Sequence, residues 1–166
     1  VEMNKKSYLK LMDYYAQHPK IKNLCLYSNK IITYFIFAFY PLFLCYLVYI
    51  KNKDLIYYIL FPLVSFIVLS VFRHFFNAKR PYEKYNADPI TSNAKSGKSF
   101  PSRHVFSAFV IAFMMLHFNI SLGLNFLSLA FILACLRVLC GVHFIKDVFA
   151  GAAFALLTYL LMILII

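Results

Sequence analysis

Residues 31–50 read IITYFIFAFYPLFLCYLVYI, twenty residues without a charge, and the polar turn Lys51-Asn52-Lys53-Asp54 follows at once. A helix rises about 1.5 Å per residue, so about twenty apolar residues cross the roughly 30 Å hydrocarbon core of a bilayer. Outward from this stretch the pattern repeats. Leu55 to Phe72 form a second apolar run, closed by Arg73. Between Arg103 and Arg137 no Asp, Glu, Lys or Arg occurs, which is too long for one span, and the cluster Asn119, Ser121, Gly123 and Asn125 divides it. Val148 to Ile166 form the last run. These runs are continuous rather than alternating, and longer than barrel strands. The expected fold is therefore all-α: an integral membrane helical bundle of about five transmembrane helices. In the fifth, Ala150, Gly151, Ala152, Ala153 and Ala155 allow close helix packing.

Composition agrees with bilayer as the solvent. The chain is 63% hydrophobic and 14% charged, against roughly half and about a quarter in soluble domains. The formal charge of +11 fits anionic headgroups and a cationic phosphate site. Nucleic-acid binding is not expected, because the apolar bulk argues against it. No cleavable signal is expected either, since no small-residue cleavage site accompanies the first apolar run. Cys25, Cys45, Cys135 and Cys140 form no CxxC pair and read as small buried hydrophobes, without a disulfide or metal framework.

Residues 1–30 form a basic segment in which lysines alternate with Tyr8, Leu9, Leu11, Met12, Tyr14 and Tyr15. An interfacial amphipathic helix fits this pattern, and a partly ordered basic tail is the competing reading. Residues 31–166 form the transmembrane domain. Five spans place residues 1–30, the polar excursion 73–103 and the turn 137–147 on one face of the membrane.

The ionisable residues at span ends gather on that face. Arg73 and Arg80 follow span two, Ser102, Arg103 and His104 open span three, and Arg137 and His143 close span four. Asp147 opens span five. Ionisable groups at membrane depth are costly and mark function. Any one arginine reads equally well as a side chain snorkelling to headgroups. Four arginines converging with two histidines require an anion between them, and guanidinium donor pairs match phosphate oxygens. Ser102 suits the N-cap of span three, whose free amides favour phosphate. His143 and Asp147, four apart, can share a helix face. The carboxylate then holds one imidazole N–H and leaves the other nitrogen free to attack. A second histidine can protonate the leaving group and later activate water. No metal is expected: there is no HExxH, no cysteine cluster and only one well-placed carboxylate.

The residues Arg73-x6-Arg80-Pro81, Pro101-Ser102-Arg103-His104 and Leu136-Arg137-x5-His143-x3-Asp147 resemble the three motifs of the type 2 phosphatidic acid phosphatase superfamily. Those motifs read K-x6-RP, PSGH and SR-x5-H-x3-D. The resemblance covers about residues 55–155. It implies a membrane lipid phosphatase acting through a phosphohistidine, without cofactor or metal, on a lipid phosphate or diphosphate such as undecaprenyl diphosphate, phosphatidylglycerophosphate or phosphatidic acid. His143 would be the nucleophile, Asp147 its orienting partner and His104 the general acid, then base. Arg73, Arg80, Ser102 and Arg137 would bind phosphate with the Arg103 backbone N–H. Three positions depart from the pattern: Arg73 for Lys, Arg103 for Gly and Leu136 for Ser. The implied partners are the lipid substrate and the surrounding membrane lipids; oligomeric state is left open.

The expected location is the bacterial plasma membrane. The resemblance implies an extracytoplasmic site, whereas the lysine bias of the same face favours the cytoplasm. Two other functions use the same pocket: lipid-phosphate binding or transport without hydrolysis, and vanadate-dependent oxidation.

Overall fold

The computed structural model describes residues 3–91 and 96–166. Residues 92–95 of the polar excursion, Lys95 included, lie outside the described residues, as do Val1 and Glu2. Among the described residues there are seven helices and no strand.

Helix α1 (Lys5–Gln17) starts where the Asn4 side chain accepts the Ser7 N–H at 2.8 Å. Tyr8 and Tyr15, seven residues apart, are buried, while Lys5, Lys6 and Lys10 are exposed. The segment is thus an ordered amphipathic helix rather than a tail. Pro19 then opens α2 (Pro19–Tyr49), since proline at the first helical position loses no hydrogen bond. At 31 residues, α2 is about 46 Å long and runs unbroken through residues 30 and 31. It exceeds the roughly 30 Å hydrocarbon core, so its lysine-bearing first turns extend beyond the apolar layer.

The chain continues through α3 (Leu55–Phe76), the short α4 (Pro81–Tyr85), α5 (Arg103–Phe118), α6 (Ile120–Leu139) and α7 (Ile145–Ile165). Helices α2, α3, α6 and α7 are each long and apolar enough to cross a membrane. They turn large apolar side chains outward, among them Val64, Phe131 and Leu157, each more than half exposed, as a lipid-facing surface requires. Helix α5 is the exception. It has 16 residues, about 24 Å of helix, and packs against α2, α3, α6 and α7. Val105, Ala108, Ala112, Met114 and Met115 on it are completely buried. The segment from Ser96 to Ser102 leads directly into the N-terminus of this short central helix.

The helix break falls at Asn119 alone, whose side chain accepts the Leu122 N–H at 2.9 Å and caps α6. Ser121, Gly123 and Asn125, expected to be part of the turn, lie in the first turns of α6. Gly123 is there because a Cβ would stand 2.2 Å from Leu116 Cα across the tight α5–α6 hairpin. On α7 the buried stripe is Asp147, Gly151, Ala155, Thr158 and Met162. Of the expected small packing residues, Gly151 and Ala155 are buried, Ala150 and Ala152 are half-buried and Ala153 is exposed. A Cβ on Gly151 would meet the Ser102 carbonyl oxygen at 2.7 Å, so this glycine sets the approach of α7 to the start of α5.

The cysteines divide. Cys45 and Cys135 are exposed on the outer surface, contrary to the expectation that they are buried, because their helices present those sides outward. Cys25 and Cys140 are buried with their sulfurs 3.1 Å apart, as free thiols.

Candidate active site

Every sequence-selected residue lies at the α5 N-terminal end of the bundle, brought there by three separate stretches of chain, 73–80, 102–104 and 137–147. Arg73 comes from the last turn of α3 and is buried. Its guanidinium donates to the Ser99 carbonyl at 3.3 Å and to the Lys98 carbonyl. Arg80 stands at the N-cap of α4, also buried. Its Nε donates to the Gly97 carbonyl at 3.1 Å and its Nη1 to the Val142 carbonyl at 3.3 Å. These bonds fix the 97–99 stretch of the loop and tie it to the turn before His143. Each guanidinium retains further N–H donors.

Ser102 occupies the N-cap of α5 but makes no capping hydrogen bond with its side chain. Its Oγ is buried and unpaired, and the same holds for Arg137 Nε and Asp147 Oδ1. Its amide donates to the Asp147 carbonyl at 2.8 Å, joining the starts of α5 and α7. A buried hydroxyl and a buried guanidinium N–H without protein partners are costly unless something else binds them.

The two histidines are held in complementary tautomers. His104 Nδ1 lies 3.3 Å from Arg137 Nη2. Arginine can only donate, so Nδ1 accepts and the neutral ring carries its proton on Nε2. The ring stacks near Phe37, with centroids 6.1 Å apart and planes 9° from parallel. His143 is 1% exposed. Its Nδ1 faces Asp147 Oδ2 at 3.5 Å and Ser99 Oγ at 3.4 Å. Ser99 gives its one proton to Asp147 Oδ2 at 2.5 Å, so towards His143 it can only accept. Both neighbours of Nδ1 are therefore acceptors, which leaves the proton on Nδ1 and a free lone pair on Nε2. Asp147 Oδ2 also accepts the Phe144 N–H at 3.0 Å. Burial, reinforced by Arg137 and Arg80 and opposed by Asp147, holds His143 well below the ordinary histidine pKa.

A cavity of 370 Å³ lies between these groups, lined by Arg73, Arg80, Arg103, His104, Arg137 and His143, with Tyr34, Tyr82, Thr91 and Val142 completing the wall. No carboxylate is among the described residues that line it; Asp147 sits behind His143. A cavity ringed by four guanidiniums attracts an oxyanion and repels a metal cation. Among the described residues no group of three or more His, Cys, Asp or Glu is arranged to hold a metal.

Two contributors were not singled out from the sequence. Ser99 touches both His143 and Asp147, yet nothing along the chain links positions 44 and 48 residues apart. Glu83 accepts the Arg80 amide at 2.8 Å, the Gly97 amide at 2.9 Å and the Ser96 hydroxyl at 2.7 Å. It thereby closes the loop that carries both ends of the arginine cradle. The run Arg80-Pro81-Tyr82-Glu83, with proline at the first and a carboxylate at the third helical position, carries a legible helix-start signal. Leu136, in the position where the motif has serine, packs instead into a cluster with Tyr8, Cys25, Tyr82 and Cys140.

A profile described as the PAP2 superfamily matches residues 54–166. The fold is similar to the crystal structure of Aquifex aeolicus LpxE, with a TM-score of 0.71 and 23% identity over 88% of this chain and 87% of that one. It is also similar to the crystal structure of the first transmembrane PAP2 type phosphatidylglycerolphosphate phosphatase from Bacillus subtilis. There the TM-score is 0.63 and the identity 20%, over 95% and 91% of the two chains. No curated protein matches the sequence significantly. With a profile match over more than half its length and a bundle of the same architecture, this integral membrane chain belongs to the PAP2 superfamily.

Proposed function

We propose that the chain is a lipid phosphatase that hydrolyses a phosphate or diphosphate headgroup through a phosphohistidine on His143. The observation that carries this reading is the pair of Nδ1 contacts, Asp147 and Ser99 on His143 and Arg137 on His104, which favour complementary tautomers. His143 offers a bare Nε2 backed by Asp147, and His104 offers an Nε2–H, on the wall of one cationic cavity. A binding or transport protein would need the arginines but neither tautomer.

In the first step His143 Nε2 forms a bond to phosphorus while the bond from phosphorus to the leaving oxygen breaks. His104, which takes up a second proton as the anionic headgroup enters, supplies its Nε2 proton to that oxygen and is left neutral. Arg73, Arg80, Arg137, the Ser102 hydroxyl and the Arg103 amide hold the three equatorial oxygens, on which charge accumulates. Asp147 stabilises the His143 ring as it becomes cationic. In the second step the now neutral His104 takes a proton from water, which attacks phosphorus and releases inorganic phosphate and free His143. Electrostatic stabilisation comes from fixed guanidiniums, so no metal step is required.

The substrate's apolar tail stays in the bilayer. The site face is the extracytoplasmic one, as the superfamily resemblance implies, with the cavity arginines removed from the positive-inside count. The test of the activity is phosphate release from purified protein with a panel of lipid monophosphates and diphosphates, with and without chelator. Release that persists in chelator and disappears in His143→Ala is the expected result. Binding of the same lipids without release would leave the transport reading in its place.

A further inference from the structure

Arg103 stands where the superfamily motif has glycine, and the two-step scheme uses only its backbone amide. Its side chain is placed for a second task. The residue is exposed, and its guanidinium carbon lies 5.5 Å from the centre of the Phe66 ring on α3. It lines two adjoining cavities. One is the 370 Å³ cationic cavity with His143 in its wall. The other is a 200 Å³ cavity formed by Phe37, Phe66, Arg103, His104 and Ser107. Arg103 and His104 belong to both, so these two side chains form the partition. The smaller cavity in turn shares Phe66 and Ser107 with an apolar groove of 320 Å³ between α2, α3 and α5, lined by Leu44, Ile59 and Leu63 among others. The sequence of environments from His143 outward is therefore cationic cavity, Arg103–His104 partition, aromatic neck and apolar groove.

In-line displacement at phosphorus places the leaving oxygen opposite the attacking nitrogen. His143 is in the wall of the first cavity, whereas His104 and Arg103 stand towards the groove. The apolar tail, which remains on the leaving group, has its natural path there. We infer that the Arg103 side chain binds the leaving group and selects one that carries charge, namely the inner phosphate of a lipid diphosphate. This rests on the phosphatase reading above and specifies its substrate class.

The chemistry differs between the two headgroups. A monoester leaves as an alkoxide that His104 protonates, and no charge remains for a guanidinium to hold. In a diphosphate the bond between the outer phosphorus and the bridging oxygen breaks. Its electron pair stays on that oxygen, and the lipid monophosphate departs with added negative charge. Water then releases the outer phosphate from His143, so the balance is lipid diphosphate plus water to lipid monophosphate plus inorganic phosphate. The paired N–H donors of Arg103 match the departing phosphate, and the Phe66 ring face holds the guanidinium in place.

The test compares polyprenyl monophosphate with polyprenyl diphosphate of the same chain length, on the purified wild type and on Arg103→Gln, Arg103→Gly and Arg103→Lys. Size-exclusion profiles in detergent establish that each variant is folded. The wild type should show the higher kcat/KM on the diphosphate. Arg103→Gln and Arg103→Gly should lower that value by about 30-fold, the scale of one charge-assisted pair of hydrogen bonds, and the monophosphate value by about threefold or less. Arg103→Lys, which keeps the charge and loses the paired geometry, should fall between. An equal loss on both substrates would place the side chain on the transferred phosphate and overturn the inference, as would no loss on either. A wild type that hydrolyses only monophosphates sinks the inference and leaves the phosphatase reading intact. A wild type that releases phosphate from neither polyprenyl lipid sinks the inference, and the phosphatase reading falls with it only when the wider panel of lipid phosphates is also left uncleaved.

Discussion

At the scale of single residues, the behaviour of the site follows from which atoms keep protons. With His143 below its ordinary pKa and both neighbours of Nδ1 accepting, the ring should stay neutral as the ligand-free protein is acidified from pH 8 to pH 5. Nitrogen-15 NMR of labelled histidine checks this: the ring whose signals disappear in His143→Ala should show no titration in a range where free histidine, with a pKa of about 6.5, protonates. The stability consequence has a definite sign. Below about pH 6.5 the unfolded chain binds a proton that folded His143 refuses, so stability falls as pH drops through that window.

Ser99 makes a second prediction. Its Oγ–Asp147 bond of 2.5 Å is buried, and removing a hydrogen bond to a buried carboxylate costs about 1.5–3 kcal/mol. Ser99→Ala should lower kcat by about tenfold or more with KM little changed, and Ser99→Thr should recover part of the loss. Equal effects on KM and kcat would show that Ser99 supports the loop rather than the orientation of His143. The histidines, the arginines and Asp147 were legible because ionisable residues are rare in this chain and sit at span ends. Ser99 was not, because a serine is unremarkable until tertiary contacts join it to residues 44 and 48 positions away.

At the scale of elements, the site depends on how closely α7 meets the start of α5. A Cβ at residue 151 would stand 2.7 Å from the Ser102 oxygen, and the Ser102 amide bond to the Asp147 carbonyl lies one turn away. Gly151→Ala should therefore destabilise the bundle by about 1–3 kcal/mol, the usual cost of overpacking, and reduce activity more than Ala153→Val on the exposed side. Thermal unfolding in detergent and phosphate release measure the two effects. The hydrophobic runs located α2, α3, α5, α6 and α7 because burial in lipid needs continuous apolar sequence. They did not locate the true start of α2, since lysines at a membrane surface end an apolar run without ending a helix. They also did not reveal that α1 packs on the site end. Tyr8 donates to the Gly141 carbonyl at 3.3 Å, and Gly141 has a φ of 64°, which glycine adopts freely. Tyr8→Ala should leave a cavity beside the turn that carries His143, costing about 3–5 kcal/mol by analogy with other buried aromatics.

At the scale of the whole molecule, one short central helix inside longer ones produces a recessed cationic cavity at the membrane surface. Under the proposed function, this arrangement would let a lipid present its headgroup without leaving the bilayer. It also fixes a topology: Lys20 and Lys53 lie at opposite ends of α2 and are exposed. Cysteines placed there should be labelled from opposite sides by an impermeant reagent. With the site on the outer face, Lys20→Cys should react in intact cells and Lys53→Cys only after lysis.

The central claim is that His143 attacks phosphorus while the other groups of the cavity hold its oxygens. Trapping the intermediate tests it most directly. His104→Ala should slow hydrolysis of the phosphoenzyme, by about 10²–10⁴-fold for loss of a general base, so that labelled lipid phosphate leaves label on the protein. The account predicts acid-labile, base-stable phosphate on His143, absent from the His143→Ala variant. Label on any other residue, or full turnover in His143→Ala, would contradict it.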